Sequence, residues 1–277
     1  MCPVDPSTAP SARDGAAYAC PDHGDWPVLI CLFGQFRLLK AGQPAPVRGG
    51  GKTETLLRHL ALRRGHTLPR EVLLQSIWPD SEPDLAGQSL NSLVYSLHKL
   101  LGQVLRGAQP IVHADGTYRL NTEAGIGVDV ACFDALADAG DRQARLGNEA
   151  GAAACYRRAT HLYSGDLSAG ADLHTVIERE RLRARYLTGL AYLADHAYAS
   201  GHYAACLDCA LRLLVTDPCR EDAHRLAMRC YVRLGERAQA LRQYRVCTEV
   251  LRAEFGALPE PATAALFDQI RLDPGSV

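Results

Sequence analysis

The sequence of 277 residues lacks a long apolar run. A helix that crosses a bilayer needs about 18 consecutive apolar residues, so we expect no membrane-spanning helix. The first 25 residues carry four Asp and one Arg and have no apolar core segment, unlike a secretory signal peptide. We therefore expect a cytoplasmic protein that does not contact a membrane.

Motifs of common hydrolases, such as HExxH and GxSxG, are also missing. A glycine-rich run, GGGKT at residues 49–53, resembles a phosphate-binding loop, but that loop needs a glycine at position 46, where this chain has Pro46. We interpret the run as a turn before a helix. These absences predict a protein that is not an enzyme and has no cofactor.

Ten cysteines are fewer than a small disulfide-stapled scaffold of this length would carry. Most lie in helical patterns, where cysteine packs as a small apolar residue, and a reducing cytoplasm fits them best. Cys206 and Cys209 form a CxxC pair. Zinc ligands must converge on one tetrahedral point, whereas Cys206 and Cys247 fall at repeat positions that favour small residues. We predict no metal site.

The net charge of −1 hides an uneven distribution. Residues 26–125 hold eleven basic and seven acidic side chains, and the segments on either side are acidic overall. Because each contacted phosphate needs its own Lys or Arg, this middle segment permits DNA binding of modest affinity. Two copies bound side by side would then share the affinity.

The first 25 residues are rich in Pro, Ala, Ser and Asp, which predicts a flexible tail. From Val28 onward, three short extended runs separated by glycines predict a small antiparallel sheet. Helical periodicity then predicts one helix over about 52–65 and a second over about 69–78.

A third helix is predicted over 84–101, with Asp84 as its N-cap and Gly102 as its C-terminal stop. The runs IVHA and TYRL follow, joined by Asp-Gly at 115–116, which is typical of a two-residue hairpin turn. Sheet, three helices and hairpin are the element order of a winged helix-turn-helix with an added N-terminal sheet. We predict this α+β domain over residues 26–122.

After a short linker, about residues 121–127, the sequence has helical patterns with Gly or Pro breaks. A shift of 34 residues superposes Gly201 on Gly235, and this period is typical of tetratricopeptide repeats. A degenerate earlier pair is proposed around Gly147. We predict an all-α array over residues 128–273 with one concave face, and hence a mainly α protein.

Aromatic and histidine side chains recur at helical spacing in this array: Tyr192, His196, His202 and Tyr203. Aromatic residues at such spacing belong to the core more often than to a groove, and we interpret them so. No pattern in the C-terminal half indicates a pocket for a small molecule.

The third helix carries the strongest functional signal. Its apolar residues form one stripe, made of Leu90, Leu93, Val94, Leu97 and Leu101. The opposite side, here called the polar face, consists of Gln88, Asn91, Ser92, Tyr95, His98 and Lys99. Asp115 is the one acidic residue between Leu85 and Leu120. A face without carboxylates can enter the major groove, where Gln and Asn pair with adenine and Lys with guanine or phosphate. We predict that the polar face binds DNA; the alternative is an ordinary solvated face.

Three further residues are predicted DNA contacts. Arg70, in the first turn of the second helix, suits a phosphate, although an ordinary surface arginine is an equally good interpretation. His113 and Thr117 lie at the hairpin tip, where a wing touches the adjacent groove or backbone. Contacts of this kind position the protein on DNA rather than specify a sequence.

The chain resembles the antibiotic-regulatory (SARP) activator family over nearly all of its length after the tail. The resemblance rests on segments such as SLNSLVYSLHKLLG, ADGTYRL, VDVACFDAL and YRRATHLYSGDL. It implies an OmpR-type winged helix-turn-helix fused to a bacterial transcriptional activator domain. It also implies a nucleoid-associated activator of antibiotic biosynthesis that binds direct repeats in promoter DNA and recruits RNA polymerase holoenzyme with its sigma factor.

One position departs from this family. Relatives usually end the recognition helix with an arginine-rich triplet, where this chain has Leu97, His98 and Lys99. Since histidine titrates near neutral pH, we hypothesise weaker or pH-sensitive phosphate contacts. An affinity that is unchanged between pH 6 and 8, and in His98→Arg, would contradict this hypothesis.

A competing interpretation is a protein-interaction scaffold without enzymatic activity, because tetratricopeptide arrays commonly bind peptides. The absence of carboxylates from the third helix favours DNA over this alternative.

Overall fold

The computed structural model describes residues 26–47, 51–63, 66–167 and 172–277. The predictions for the tail and for residues 49 and 50 of the GGGKT run lie outside these ranges. In chain order the N-terminal half contains β1 (Val28–Cys31), β2 (Arg37–Lys40), β3 (Gln43–Pro44), α1 (Gly51–Leu62), β4 (Leu68–Pro69), α2 (Arg70–Ile77), α3 (Pro83–Leu101), β5 (Ile111–Ala114), β6 (Thr117–Leu120) and β7 (Ile126–Val128).

Within the described residues these strands form two sheets, and along the chain α1 precedes β4 whereas α2 and α3 follow it. The first sheet has the order β3-β2-β1-β7, and the second has the order β4-β6-β5. Every side chain of β1 is buried, as its uninterrupted apolar run VLIC requires. The winged helix-turn-helix with an added N-terminal sheet is confirmed.

The start of α3 differs from its prediction, whereas its end at Leu101, directly before Gly102, is as predicted. The helix begins before Asp84, because Pro83 occupies the first turn and Glu82 precedes it without a side-chain cap. Gly102 does not stop the helix with a left-handed residue, since its φ is −57°. The chain instead reverses at Arg106 and Gly107, whose φ angles are 54° and 86°.

The segment predicted as a linker is part of the N-terminal fold. Thr122–Ala124 form a 3₁₀ turn, and β7 follows. β7 pairs in parallel with β1, with Val28 opposite Ile126. The predicted linker was wrong because the partner of this strand lies nearly a hundred residues earlier in the chain, beyond any local pattern.

Asp129 joins the two halves of the molecule. Its buried carboxylate accepts hydrogen bonds from Leu32 N, at 2.8 and 2.9 Å, and from Phe33 N, at 3.0 Å. Burial raises the pKa of Asp129 to about 6, against the opposing effect of these backbone N–H groups. At neutral pH the side chain is therefore mainly ionised and accepts all of these bonds.

Aromatic packing forms a second contact between the two halves. The ring of Phe33 lies 5.3 Å from that of Phe133 and 4.8 Å from that of Tyr163, measured between centroids. Ser164 Oγ donates to Phe33 O at 3.0 Å. These contacts connect the helical half to the segment that follows β1.

Seven α-helices make up the described part of the C-terminal half. They are α4 (Asp129–Arg145), α5 (Glu149–Leu162), α6 (Leu173–Ala199), α7 (Tyr203–Thr216), α8 (Glu221–Arg233), α9 (Arg237–Phe255) and α10 (Pro261–Leu272). Each helix packs mainly on its neighbours in sequence, as stacked helical repeats do. Gly147, Gly201 and Gly235 turn the chain between helices with φ of 72°, 74° and 80°. The predicted all-α array is confirmed, and within the described ranges no helix is both long and apolar enough to cross a membrane.

His224 of α8 gives the array a predictable response to acid. The side chain is 2% exposed; Nε2 lies 2.9 Å from Pro218 O, and Nδ1 lies 2.8 Å from Gln243 Nε2. Nε2 therefore donates and Nδ1 accepts, which requires the neutral ring. Burial lowers the pKa of His224 below its usual 6.5.

We expect His224 to contribute a loss of stability as the pH falls below about 6.5, because the unfolded chain then binds a proton that the folded chain excludes at His224. Asp129, whose pKa is raised to about 6, acts in the opposite direction to the same extent in wild type and in the variant below. Thermal unfolding between pH 7 and 5 should show a smaller decrease in midpoint for His224→Gln than for wild type. Part of the decrease should remain, because burial also lowers the pKa of His59. Identical decreases in both proteins would contradict the prediction.

Candidate nucleic-acid interface

The apolar stripe of α3 fixes the orientation of the helix. Leu90, Leu97 and Leu101 are buried in the core beneath it. Leu93 and Val94 are only partly buried and pack against the same core. The stripe therefore anchors the helix, and the opposite side is left to solvent.

Most of the polar face is exposed. The exposed residues are Gln88, Asn91, Ser92, Tyr95 and Lys99, and the side chain of Tyr95 is 73% exposed. Ser92 Oγ donates to Gln88 O at 3.0 Å, so its hydroxyl is free only as an acceptor. His98 is half-buried, and its ring lies toward Gly102. No part of the described chain covers the five exposed side chains.

The carboxylate-free part of this side begins at Gln88. Asp84 lies one turn earlier on the same side of α3 and is exposed. From Gln88 to Lys99 the helix carries amides, hydroxyls and one lysine, and no acid. About three turns of helix are therefore free of groups that would repel phosphate.

The side chain of Arg70 packs against α3 at Gly87, where the helix has no side chain. Its guanidinium lies so close to Gly87 that a Cβ at that position would overlap Arg70 Nη2. The backbone N of Arg70 donates to Gly116 O at 2.9 Å, which ties the start of α2 to the hairpin. Gly87 was not predicted as a site residue, although a glycine inside a helical pattern signals close packing.

The hairpin adjoins this arrangement. Asp115 and Gly116 have φ of 49° and 70°, as a two-residue turn with two left-handed residues requires. His113 is exposed and stacks on Tyr118 with 4.3 Å between ring centroids. Thr117 is half-buried, and its Oγ1 donates to Ala114 O at 2.8 Å. His113 is thus accessible to a ligand, whereas the Thr117 hydroxyl proton serves the hairpin itself.

The glycine-rich run and the cysteines show no comparable arrangement. α1 begins at Gly51, so the last three residues of the glycine-rich run are helical and not part of a turn as predicted. The ammonium of Lys52 lies 5.0 Å from the centroid of the Trp78 ring. Cys206 and Cys230 are fully buried beside one another, and burial raises the pKa of Cys247 to about 11. Among the residues that the structure describes, no three His, Cys, Asp or Glu side chains are grouped to hold a metal ion.

Comparison with known proteins identifies the C-terminal half. Residues 128–271, just over half of the chain, match the family described as the bacterial transcriptional activator domain. The chain belongs to this family. The predicted membership of the SARP group is confirmed.

One relative and one structural neighbour extend the comparison to the N-terminal half. The chain is 27% identical over 240 residues to the regulatory protein AfsR of Streptomyces coelicolor, covering 86% of this chain and 24% of AfsR. It also superposes on Mycobacterium tuberculosis EmbR, solved in complex with a low-affinity phosphopeptide, with a TM-score of 0.66 and 22% identity. That superposition covers 89% of this chain and 65% of the EmbR chain. The chain thus spans about a quarter of AfsR and less than two thirds of EmbR, and the likeness to EmbR shows a shared fold.

Proposed function

We propose that this activator-domain protein binds promoter DNA sequence-specifically and activates transcription. One observation carries the proposal: α3 presents a polar, exposed and carboxylate-free side from Gln88 to Lys99 while its apolar stripe is buried. In this arrangement α3 enters the major groove, and Gln88, Asn91 and Lys99 reach base edges. Ser92, Tyr95 and His98 complete the contact. The protein acts at the nucleoid, in the cytoplasm, and has no enzymatic step.

In this proposal, the DNA sugar-phosphate backbone around the groove is contacted by Arg70, His113 and Thr117. Arg70 lies against α3 at Gly87, so its guanidinium is placed beside the helix that enters the groove. His113 is exposed on the wing, and Thr117 maintains the turn through its bond to Ala114. These contacts fix the register of the protein on the duplex and leave discrimination to the polar face.

Two copies occupy neighbouring direct repeats and recruit RNA polymerase holoenzyme through its sigma factor. The small excess of basic residues in 26–125 supports this arrangement, because one copy neutralises few phosphates. Two linked half-sites raise the overall affinity without new types of contact.

Selection from a library of random duplexes tests the proposal directly. We expect the selected sequences to converge on a motif that occurs twice in the same orientation, and DNase footprints to cover both copies. Addition of the protein to RNA polymerase holoenzyme should then increase transcription from a promoter that carries the motif. A pool that fails to converge would contradict sequence-specific binding, and unchanged transcription would contradict activation.

Gly87→Ala provides a prediction that depends on Arg70. The new methyl group displaces the Arg70 guanidinium, while alanine favours the helix by about 1 kcal/mol. We expect Gly87→Ala to keep or increase thermal stability and to weaken DNA binding to the same extent as Arg70→Ala. In fluorescence anisotropy, the plot of log affinity against log salt should become shallower by about one unit. The double variant should bind no more weakly than either single variant; additive losses would show that the two residues act separately.

A further inference from the structure

The helical array contains a cavity of about 670 Å³. Its walls come from α5, α6 and α7, and Leu136 of α4 also lines it. Helices therefore bound it on several sides. A volume of this size is typical of sites for small organic molecules and far exceeds the space that one inorganic phosphate needs.

Six of the residues that line the cavity are basic. They are Arg157, Arg158, His161, His196, His202 and Arg212. The one acidic residue in the lining, Asp208, has its Oδ2 4.0 Å from Arg212 Nη1. Positive groups gathered around a concave, partly apolar space raise the local concentration of anions.

Arg212 is held in place within the cavity wall. Its Nη2 donates to Tyr186 Oη at 3.2 Å and to Thr160 O at 3.3 Å, and the guanidinium lies 5.8 Å from the centroid of the Tyr186 ring. A guanidinium fixed in this way loses little conformational freedom when it binds a phosphate or carboxylate. Arg157 and His202 are exposed and complete the basic rim.

The remaining lining is apolar. It consists of Leu136, Leu162, Leu193, Ala197, Ala205 and Cys209. Leu136 is 3% exposed and Leu193 is 7% exposed, so part of this surface lies deep in the array. A cavity with a basic rim and an apolar interior suits a molecule that carries an acidic group on a ring or hydrocarbon body.

We propose that this cavity binds an anionic organic molecule of about nucleotide size. Its phosphate or carboxylate lies among Arg157, His202 and Arg212, and its apolar part lies on Leu136 and Leu193. The interpretation of His202 as a core residue was therefore wrong, because the residue is exposed at this rim, and His196 lines the cavity with it. No local sequence pattern indicated the site, since it is assembled from four helices.

Isothermal titration calorimetry of the full chain tests this site with three probes that share one ring: 1-naphthyl phosphate, 1-naphthoate and 1-naphthol. We expect at least one anion to bind about tenfold more tightly than the neutral naphthol, because a charge-assisted hydrogen bond is lost with the acidic group. The ratio between the phosphate and the carboxylate identifies which acid the site prefers. Equal binding of all three probes would overturn the proposal.

Exposed variants separate the site from folding effects. Arg157→Gln and His202→Gln should each weaken binding of the preferred anion by about fivefold and leave naphthol binding unchanged. Arg245→Gln, which removes an exposed arginine from α9 outside the cavity, is the matched control and should bind as wild type does. Losses no larger than in the control would overturn the proposal. So would tight binding of an acidic decapeptide that depends on Arg157 when neither naphthyl anion binds.

Discussion

We expect the triple variant Gln88→Ala/Tyr95→Ala/Lys99→Ala to lose sequence-specific DNA binding while it keeps its fold. The three side chains are exposed on the side of α3 that points away from the core, so their removal creates no cavity. A good base contact contributes about 1–3 kcal/mol of discrimination. Together the substitutions should cost about 4 kcal/mol, a loss of roughly a thousandfold in affinity for the selected motif. Fluorescence anisotropy with the selected duplex measures the loss.

The control for this variant removes an amide and a cation from a helix other than α3. Gln239→Ala/Arg245→Ala removes an exposed amide and an exposed cation from α9 and should bind the motif as wild type does. The midpoint of thermal unfolding should be the same for all three proteins within experimental error. If the triple variant retained its preference for the motif, α3 would not be the reading helix and the proposed function would fail.

Asp129→Asn should separate the unfolding of the two halves of the molecule. The carboxylate of Asp129 is the buried acceptor for the N–H groups of Leu32 and Phe33, and an amide would turn its own N–H toward one of them. A buried donor left without an acceptor costs about 1–3 kcal/mol. We expect a total loss of about 2–4 kcal/mol, concentrated at the contact between β1 and α4.

The two tryptophans allow this loss of stability to be assigned to one half of the molecule. Trp26 and Trp78 both lie in the N-terminal half, whereas most helical residues lie in the C-terminal half. In urea, tryptophan fluorescence and far-ultraviolet circular dichroism should give coincident transitions for wild type. For Asp129→Asn, the fluorescence transition should move to a lower urea concentration and separate from the circular dichroism transition.

The control is Glu123→Gln, which changes an exposed acid near the same contact and should change the free energy of unfolding by less than about 0.5 kcal/mol. Coincident, unshifted transitions in Asp129→Asn would contradict the role assigned to this carboxylate.

Local patterns predicted much of the candidate interface. The spacing of Leu90, Leu97 and Leu101 specified which side of α3 is buried, because a helix places such residues on one stripe. Asp115 and Gly116 specified the hairpin, because few other dipeptides accept two left-handed residues. The 34-residue period located the turns at Gly201 and Gly235, because these positions have left-handed φ angles that favour glycine.

Contacts between segments that are far apart in sequence could not be predicted from local patterns. The start of α3 was misassigned because Asp84 satisfies a generic capping rule, whereas Pro83 occupies the first turn of the helix. The helix ends before Gly102 as predicted, but the left-handed residues that turn the chain are Arg106 and Gly107. The segment after residue 121 was interpreted as a linker because nothing local shows that β7 pairs with β1.

By itself, the sequence determined which segments are helical, where the hairpin turns and which side of α3 has no carboxylates, since these depend on residues within a few positions of one another. The tertiary structure decided that Asp129 bonds to Leu32 and Phe33, that Arg70 lies against Gly87, and that basic residues of three helices surround one cavity. Each of these depends on which surfaces pack together, and packing is set by the burial of the whole core rather than by any single segment.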